Sequence, residues 1–391
     1  MQKVKIGIIG IGNMGSSHAR NIKEGQCPDI KIAAIADINP ERLEWAKQQG
    51  YGEDVAYFDD ALKMMDSGLI DACIVAVPHY DHPLYTIEAI KRGIHVMCEK
   101  PAGVYTKQVR EMNEVAKQHS EVVFGMMFNQ RTNCVYRKLR ELVHSGEYGQ
   151  IRRTNWLITN WYRPQAYYNS GGWRATWSGE GGGVLLNQCP HQLDLWQWIC
   201  GMPVKVHAHM KFGKWHDIEV EDDVTAYVEY ANGATGCFIT STGDARGTNR
   251  FEIQMDKAKF VVEDDKLFME EFEISEPEFS RTNTIPFGKI NAKVVEVETD
   301  GQNPRHVGVL NAFADAILRG GKLVAEGSEG INGLTISNAM HLSAFLGKEV
   351  EIPFDEDLYY EELMKRVKTS RRKEDVGAVF ADTSDTYGGA K

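Results

Sequence analysis

Two rhythms of apolar and polar residues divide the chain. As far as Met127, short apolar runs alternate with amphipathic stretches. Val4 to Ile9 reads as a strand and Ser16 to Lys23 as a helix. Lys31 to Ala36 is a second strand, ending at Asp37. Pro40 to Gln49 is a helix with proline in its first turn. Ala72 to Val77 is almost entirely apolar, as expected of a strand buried on both faces. Pro83 to Arg92 is a helix closed by Gly93, and His95 to Cys98 and Val122 to Met127 are further strands. Strands alternating with helices predict a doubly wound parallel sheet of the Rossmann type.

Beyond that point long strands dominate. Arg137 to Val143 is helical and stops near Gly146. Strands are predicted over Arg153–Trp161, Val204–Phe212, Asp223–Tyr230, Ala234–Thr240, Phe251–Met255 and Phe260–Val262. Asn232-Gly233 supplies a hairpin turn between two of them. A helix over Gln192–Ile199 interrupts the series, and helices return at Val307–Leu318 and Ile331–Leu346. The expected architecture is therefore α/β: a Rossmann domain over 1–128, then an α+β domain over 129–370 around a large, open, mostly antiparallel sheet. A polar tail over 371–391, carrying Arg371, Arg372 and Lys373, is expected to be poorly ordered.

Composition narrows the function classes. With 44 Lys+Arg against 55 Asp+Glu, the net charge is −11. That balance argues against nucleic acid as a partner, because phosphate neutralisation needs a basic face. No apolar run approaches the ~20 residues of a membrane span, so no membrane partner is expected. The first residues briefly resemble a signal peptide, but Asn13 ends the apolar run and a first strand is the better reading. The seven cysteines have no zinc-knuckle or redox spacing. They read as reduced, mostly buried thiols of a cytoplasmic protein.

Gly10-Ile11-Gly12-Asn13-Met14-Gly15 follows the first strand and opens a helix. In that context each glycine has its own role. Gly10 allows the tight turn, Gly12 lets backbone approach a pyrophosphate, and Gly15 lets helix and strand pack closely. The helix N-terminus offers free N–H groups to the anion. Asp37 ends the second strand, ~20 residues on, where a carboxylate accepts from the adenosine ribose hydroxyls and repels a 2′-phosphate. The expected cofactor is NAD. Arg42 is close enough to reach the adenine or a 2′-phosphate, and Asp37 also has an alternative as a helix cap before Pro40.

Glu99-Lys100-Pro101 follows a strand, at the end where such sheets bind ligands. Partial burial and a nearby positive nicotinamide lower a lysine pKa and make Lys100 a usable proton acceptor. A cis Lys100–Pro101 bond is plausible. Gly181-Gly182-Gly183 lets the chain pass close to something, a cofactor or substrate being the candidates. Asn187 and His191 follow, four apart and on one face if helical. Asp194, three further, is a candidate to orient the His191 imidazole. Asn129, Arg131 and Thr132, after the last Rossmann strand, are candidates to line the cleft.

Together these motifs resemble the glucose–fructose oxidoreductase/inositol dehydrogenase/MocA family, Gfo/Idh/MocA, over nearly the whole chain. The resemblance implies a Rossmann domain followed by an α/β domain whose open sheet forms homo-oligomers, dimers or tetramers. It implies hydride transfer at a sugar or cyclitol carbon, with Lys100 as catalytic lysine and His191 beside the reacting hydroxyl. The cofactor surface it implies takes in Ile38, Val77, Pro78, His79, His82, Glu99, Pro101, Asn129, Trp173 and Arg174, with no metal. Many inositol dehydrogenases of the family carry Asp where this chain has Asn187. Asn donates to a hydroxyl but does not take its proton at neutral pH. The Asn-Gln-x-x-His form resembles relatives that oxidise carbon 3 of sugars or glycosides.

Between these motifs lie Trp156, Trp161, Tyr162, Arg163, Tyr167, Tyr168, Trp173, Arg174 and Trp177. Sugars pack C–H faces on aromatic rings, so Tyr162, Arg163 and their neighbours are candidates to wall a pocket, alongside sheet core. The expected activity is an NAD-dependent dehydrogenase of a secondary alcohol. A glycosidase working through transient oxidation and a dinucleotide-sensing regulator are the alternatives.

Overall fold

The computed structural model describes residues 3–371; the tail expected over 371–391 lies, past its first residue, outside the described residues. The first half alternates β1 (Val4–Ile9), α1 (Asn13–Lys23), β2 (Ile30–Ala36), α2 (Pro40–Gln48), β3 (Ala56–Phe58), α3 (Ala61–Asp66), β4 (Ala72–Val75), α4 (His82–Lys91), β5 (His95–Cys98), α5 (Thr106–Gln118) and β6 (Phe124–Met126). The strands form one sheet in the order β3-β2-β1-β4-β5-β6, and its pairings are parallel. β4, Ala-Cys-Ile-Val, is buried along its whole length, which explains its unbroken apolar run. The strand order turns back between β1 and β4. The turns after β1, β2, β4 and β5 therefore open on one edge, where doubly wound sheets bind ligands.

The second half contains α6 (Cys134–His144), β7 (Ile151–Ile158), α7 (Gln165–Tyr168), α8 (Pro190–Cys200), β8 (Lys205–Phe212), β9 (Glu221–Glu229), β10 (Thr235–Ser241), β11 (Asn249–Met255), β12 (Ala258–Glu263), β13 (Lys266–Phe272), α9 (Glu276–Thr282), β14 (Ala292–Glu296), α10 (Arg305–Arg319), α11 (Gly330–Leu346), β15 (Val350–Glu351) and α12 (Glu356–Thr369). Nine strands run in the order β14-β13-β12-β11-β7-β10-β9-β8-β15. All pair antiparallel except β7 with β10. Along β9, Val224, Ala226 and Val228 are buried while Thr225 and Tyr227 are exposed, the period of two expected of a half-covered sheet. Trp196 of α8 stacks on Phe238 of β10, so α8 lies on the covered face.

Helix α10 does not stay with the second sheet. Its Val309, Leu310, Phe313 and Ala314 join Ile6, Ile8 and Ile35 in the core of the first. At the start of α10, His306 meets Asn129 and the His18 ring. No helix among the described residues is long and apolar enough to cross a membrane. The seven cysteines are free, four buried and three partly exposed.

Candidate active site

The turn after β1 has the backbone that the glycine pattern requires. Gly10 has φ +86°, and a Cβ there would lie 2.5 Å from the Ala76 carbonyl oxygen. A Cβ on Gly15 would stand 1.9 Å from the Gly10 carbonyl oxygen, so only glycine lets α1 pack on the turn. Above Gly12 a Cβ would meet nothing within 4 Å. The surface over Gly12 is open, and α1 begins at Asn13 with Met14 in its first turn, presenting helix N–H groups there. These features fit a pyrophosphate. Gly15→Ala should cost ~1–3 kcal/mol of overpacking and weaken NAD binding about 10-fold or more. Calorimetric titration checks this, and an unchanged Kd would show that helix and turn yield freely.

Asp37 braces the same turn. Its Oδ2 accepts the Ile11 N–H at 2.8 Å and its Oδ1 the Asn39 N–H at 2.8 Å. The cap of α2 is Asn39, which accepts from the Glu41 N–H, and not Asp37. Each Asp37 oxygen therefore keeps a lone pair for a ribose hydroxyl. Ile38 beside it is largely exposed, and the half-buried Arg42 lies within the field of Asp37.

Glu99, Lys100 and Pro101 leave β5 at the same edge, and the Lys100–Pro101 bond is cis. Glu99 is buried and accepts His18 Nε2 at 2.6 Å; its other oxygen accepts the Lys100 N–H at 3.1 Å. Burial pushes its carboxyl pKa up, but His18 outweighs that and brings it down to about 2. Lys100 Nζ donates to the Asn187 carbonyl oxygen at 3.0 Å. Burial lowers the Lys100 pKa, aided by Arg174 and Arg163 and opposed by Glu99 and Glu180. His191 is buried, and burial together with the Lys100 and His306 charges holds its pKa well below the ordinary value. It is therefore a neutral imidazole. Its Nδ1 meets no hydrogen-bond partner among the described residues. The β5 turn and the start of α8 thus bring together Lys100, Asn187 and His191.

Helix α8 begins at Pro190, in whose first turn proline costs nothing. Asn187 lies just ahead of the helix. Its Oδ1 accepts from Tyr167 Oη at 3.2 Å, while its Nδ2 donates to Glu180. Tyr167 also accepts from Arg174 Nη1 at 3.0 Å, and Arg174 lies over both the Tyr167 and Trp173 rings. Arg163 lies over Trp161 and Tyr167. Tyr162 is 45% exposed. Trp156, Trp161, Tyr168 and Trp177 are buried, Trp156 stacking on Phe251 at 4.2 Å, so these rings are core.

The remaining candidates are placed by their partners. His79 meets the Trp173 ring edge-on, and its Nδ1 lies 3.3 Å from the Glu180 carbonyl oxygen. His82 Nδ1 pairs with the Pro101 carbonyl oxygen at 2.6 Å, locking α4 to the lysine turn; Val77 and Pro78 lead from β4 into this corner. Asn129 Nδ2 contacts His306, whose ring packs against His18. Thr132 Oγ1 donates to the Asn129 carbonyl and accepts the Arg305 N–H.

One expectation needs correction. Asp194 does not orient His191. Both its oxygens accept from Arg131, Oδ2 from Nε at 2.8 Å and Oδ1 from Nη2 at 2.7 Å, and Gln197 also donates to it. Arg131 is spent on this pair and on Glu329 and does not reach the lysine cluster. The glycines of 181–183 have a close neighbour within the chain. Cβ atoms on Gly181, Gly182 and Gly183 would meet Val104, Leu186 and the Glu221 carbonyl at 2.2, 2.5 and 2.0 Å, so the close approach is to the chain itself. Glu221, buried against His341, holds this strip through the Gly183 and Leu185 N–H groups. Sequence reasoning missed Glu180, His18 and His306; of these only Glu180 had a signal, as a lone carboxylate immediately before the glycines.

Residues 4–126 match the model described as "Oxidoreductase family, NAD-binding Rossmann fold", and residues 136–261 the "GFO/IDH/MocA C-terminal domain". The chain is 27% identical to a myo-inositol 2-dehydrogenase of Thermotoga maritima, over 61% of this chain and 68% of that protein. It is 28% identical to a D-glucoside 3-dehydrogenase of Escherichia coli, over 59% and 68%. Matches span 58–68% of the length of the first curated relatives. A WlbA dehydrogenase of Chromobacterium violaceum, solved with NADH and UDP-GlcNAcA, shares the fold with TM-score 0.78 at 24% identity, over 91% of this chain and 97% of that one.

Proposed function

Because the chain belongs to the Gfo/Idh/MocA family of oxidoreductases, we propose that it is an NAD-dependent dehydrogenase of a secondary hydroxyl on a sugar, glycoside or cyclitol. The observation that carries this reading is the meeting of Lys100, Asn187 and a neutral His191 at the ligand-binding edge of the Rossmann sheet. Gly10, Gly12, Asn13, Met14 and Gly15 would hold the pyrophosphate of NAD, and Asp37, Ile38 and Arg42 its adenosine. Val77, Pro78, His79, His82, Glu99, Pro101, Asn129, Trp173 and Arg174 would border the nicotinamide half. Bound there, NAD supplies the hydride acceptor.

The chain's own groups divide the remaining work. Lys100, whose neutral amine burial favours, takes the hydroxyl proton. His191 hydrogen-bonds the same oxygen or passes the proton on. Asn187 has one amide N–H beyond its bond to Glu180 and offers it to a neighbouring hydroxyl. Carbon 3 of a hexose is favoured by the Asn187-Gln188-x-x-His191 spacing and by the resemblance to a D-glucoside 3-dehydrogenase. The open face of the nine-stranded sheet, with Leu157 and Tyr227 exposed on one side, supports a homo-oligomer, a dimer or tetramer.

A screen of monosaccharides, inositols and glycosides for NADH formation tests the activity. Glycoside cleavage without net NADH would instead mark transient oxidation. NAD should be preferred over NADP, because Asp37 would face the added phosphate. Asp37→Ser should relax that preference and also loosen the turn at Ile11. Equal turnover of the unmodified chain with NADP would contradict the assignment.

A further inference from the structure

We propose that Glu180 is the carboxylate of the catalytic centre, a positioning residue that fixes the Asn187 side chain and balances the charge of Lys100. The inference rests on the dehydrogenase reading and deepens it. Glu180 is 2% exposed. One of its oxygens accepts the Ala175 N–H at 2.6 Å and the other accepts Asn187 Nδ2. An ionised carboxylate only accepts, so Asn187 must turn its amide nitrogen toward Glu180 and its carbonyl oxygen toward Tyr167 Oη. The Asn187 main-chain oxygen accepts from Lys100 Nζ at 3.0 Å. The same residue therefore links carboxylate and lysine.

A buried carboxylate needs compensating charge. Burial raises the Glu180 pKa, and Arg174, the Ala175 N–H and Asn187 oppose that rise; the Glu180 charge in turn acts on Lys100, whose pKa Arg174 and Arg163 help to lower. Glu221 adds negative potential, the Tyr167 and Tyr168 hydroxyls lie in the field of Glu180, and the His79 ring meets its main-chain oxygen. The Glu99 charge also acts on Lys100, and Glu99 is committed to His18. The negative charge thus sits behind the Asn187 side chain, whose second amide N–H is left for the substrate.

The test exchanges the two groups. Glu180→Gln removes the charge. Asn187→Asp in the same chain returns it on the opposite side of the pair, where the new amide can donate to the new carboxylate. Reactivity of Lys100 with trace acetic anhydride, read by mass spectrometry across pH on the full chain without substrate, reports the lysine directly. In Glu180→Gln the half-reactivity pH should fall, because a negative neighbour is lost. In the double variant it should return. With a substrate in hand, the plateau of kcat/KM above the Lys100 pKa, where the amine is free in both forms, should fall about 10-fold in the single variant as Asn187 loses its anchor, the middle of the range for groups in one network. It should recover to within a few-fold in the double.

An unchanged Lys100 titration in Glu180→Gln would overturn the proposal. So would a folded double variant in which Lys100 still titrates low. If Glu180→Gln does not fold, the double variant decides: normal folding with a restored titration supports the proposal, and equal failure overturns it. The labelling uses no substrate, so a failed sugar screen would overturn the dehydrogenase reading and leave the Lys100 result standing.

Discussion

Lys100→Met is expected to lower turnover by about 10²-fold or more, the range for losing a general acid–base group. Methionine keeps much of the length and the apolar stem of lysine, so the corner between β5 and α8 should stay packed. NAD affinity should hold, because the phosphate turn after β1 is built by other residues. The pH profile gives a second reading. Burial, Arg174 and Arg163 lower the Lys100 pKa from 10.5. In the oxidising direction the amine must be unprotonated, so kcat/KM should climb as pH rises through that lowered value. The climb should vanish in the methionine variant. Near-normal turnover with the pH limb intact would move the base to His191.

The second large effect concerns stability. Arg131 and Asp194 side chains are each 1% exposed and meet through two hydrogen bonds. Arg131→Met would leave the Asp194 carboxylate buried without its cation, with Gln197 still donating to it. Breaking one side of a buried pair typically costs ~3–5 kcal/mol, and urea unfolding should show a midpoint lowered accordingly. Arg131→Met with Asp194→Leu should recover much of it, because the uncompensated charge is gone. The pair ties the 129–132 turn to α8, one turn beyond His191, so turnover should fall in the single variant as well. A loss below ~1 kcal/mol would show that Asp194 relaxes to solvent or takes up a proton cheaply.

Local signals are readable in the sequence and long-range pairings are not. The glycine turn, Asp37 and Lys100 each sit where a strand ends, and the roles proposed for them follow from a few neighbouring residues. Asp194 misleads because a spacing of three on a helix suggests His191, while its partner Arg131 is 63 positions away. His18 reaches Glu99 across 81 positions, and His306 arrives on α10, which returns to the first sheet late in the chain. Periodicity finds no such partners. Helix α12 buries only Tyr359 and Leu363, a stripe too thin to stand out from its polar residues, whereas α5 buries Thr106, Val109 and Met112 along one face. Strands β13 and β14 lie at the sheet edge with little burial, so they lack the alternation that marks β9. Boundaries of the legible elements shift by a few residues, as at α8, where Pro190 starts the helix two positions before the expected Gln192.

At the centre of the proposed chemistry, Lys100, His191 and Asn187 hold a secondary ring hydroxyl for oxidation by NAD. NMR identification of the product formed from a glucoside or cyclitol under cofactor recycling tests this most directly. The expected product is a ring ketone, at carbon 3 for a hexoside. A ketone at another ring carbon would revise only the position, whereas a lactone, formed by oxidation at an anomeric carbon, would contradict the assignment.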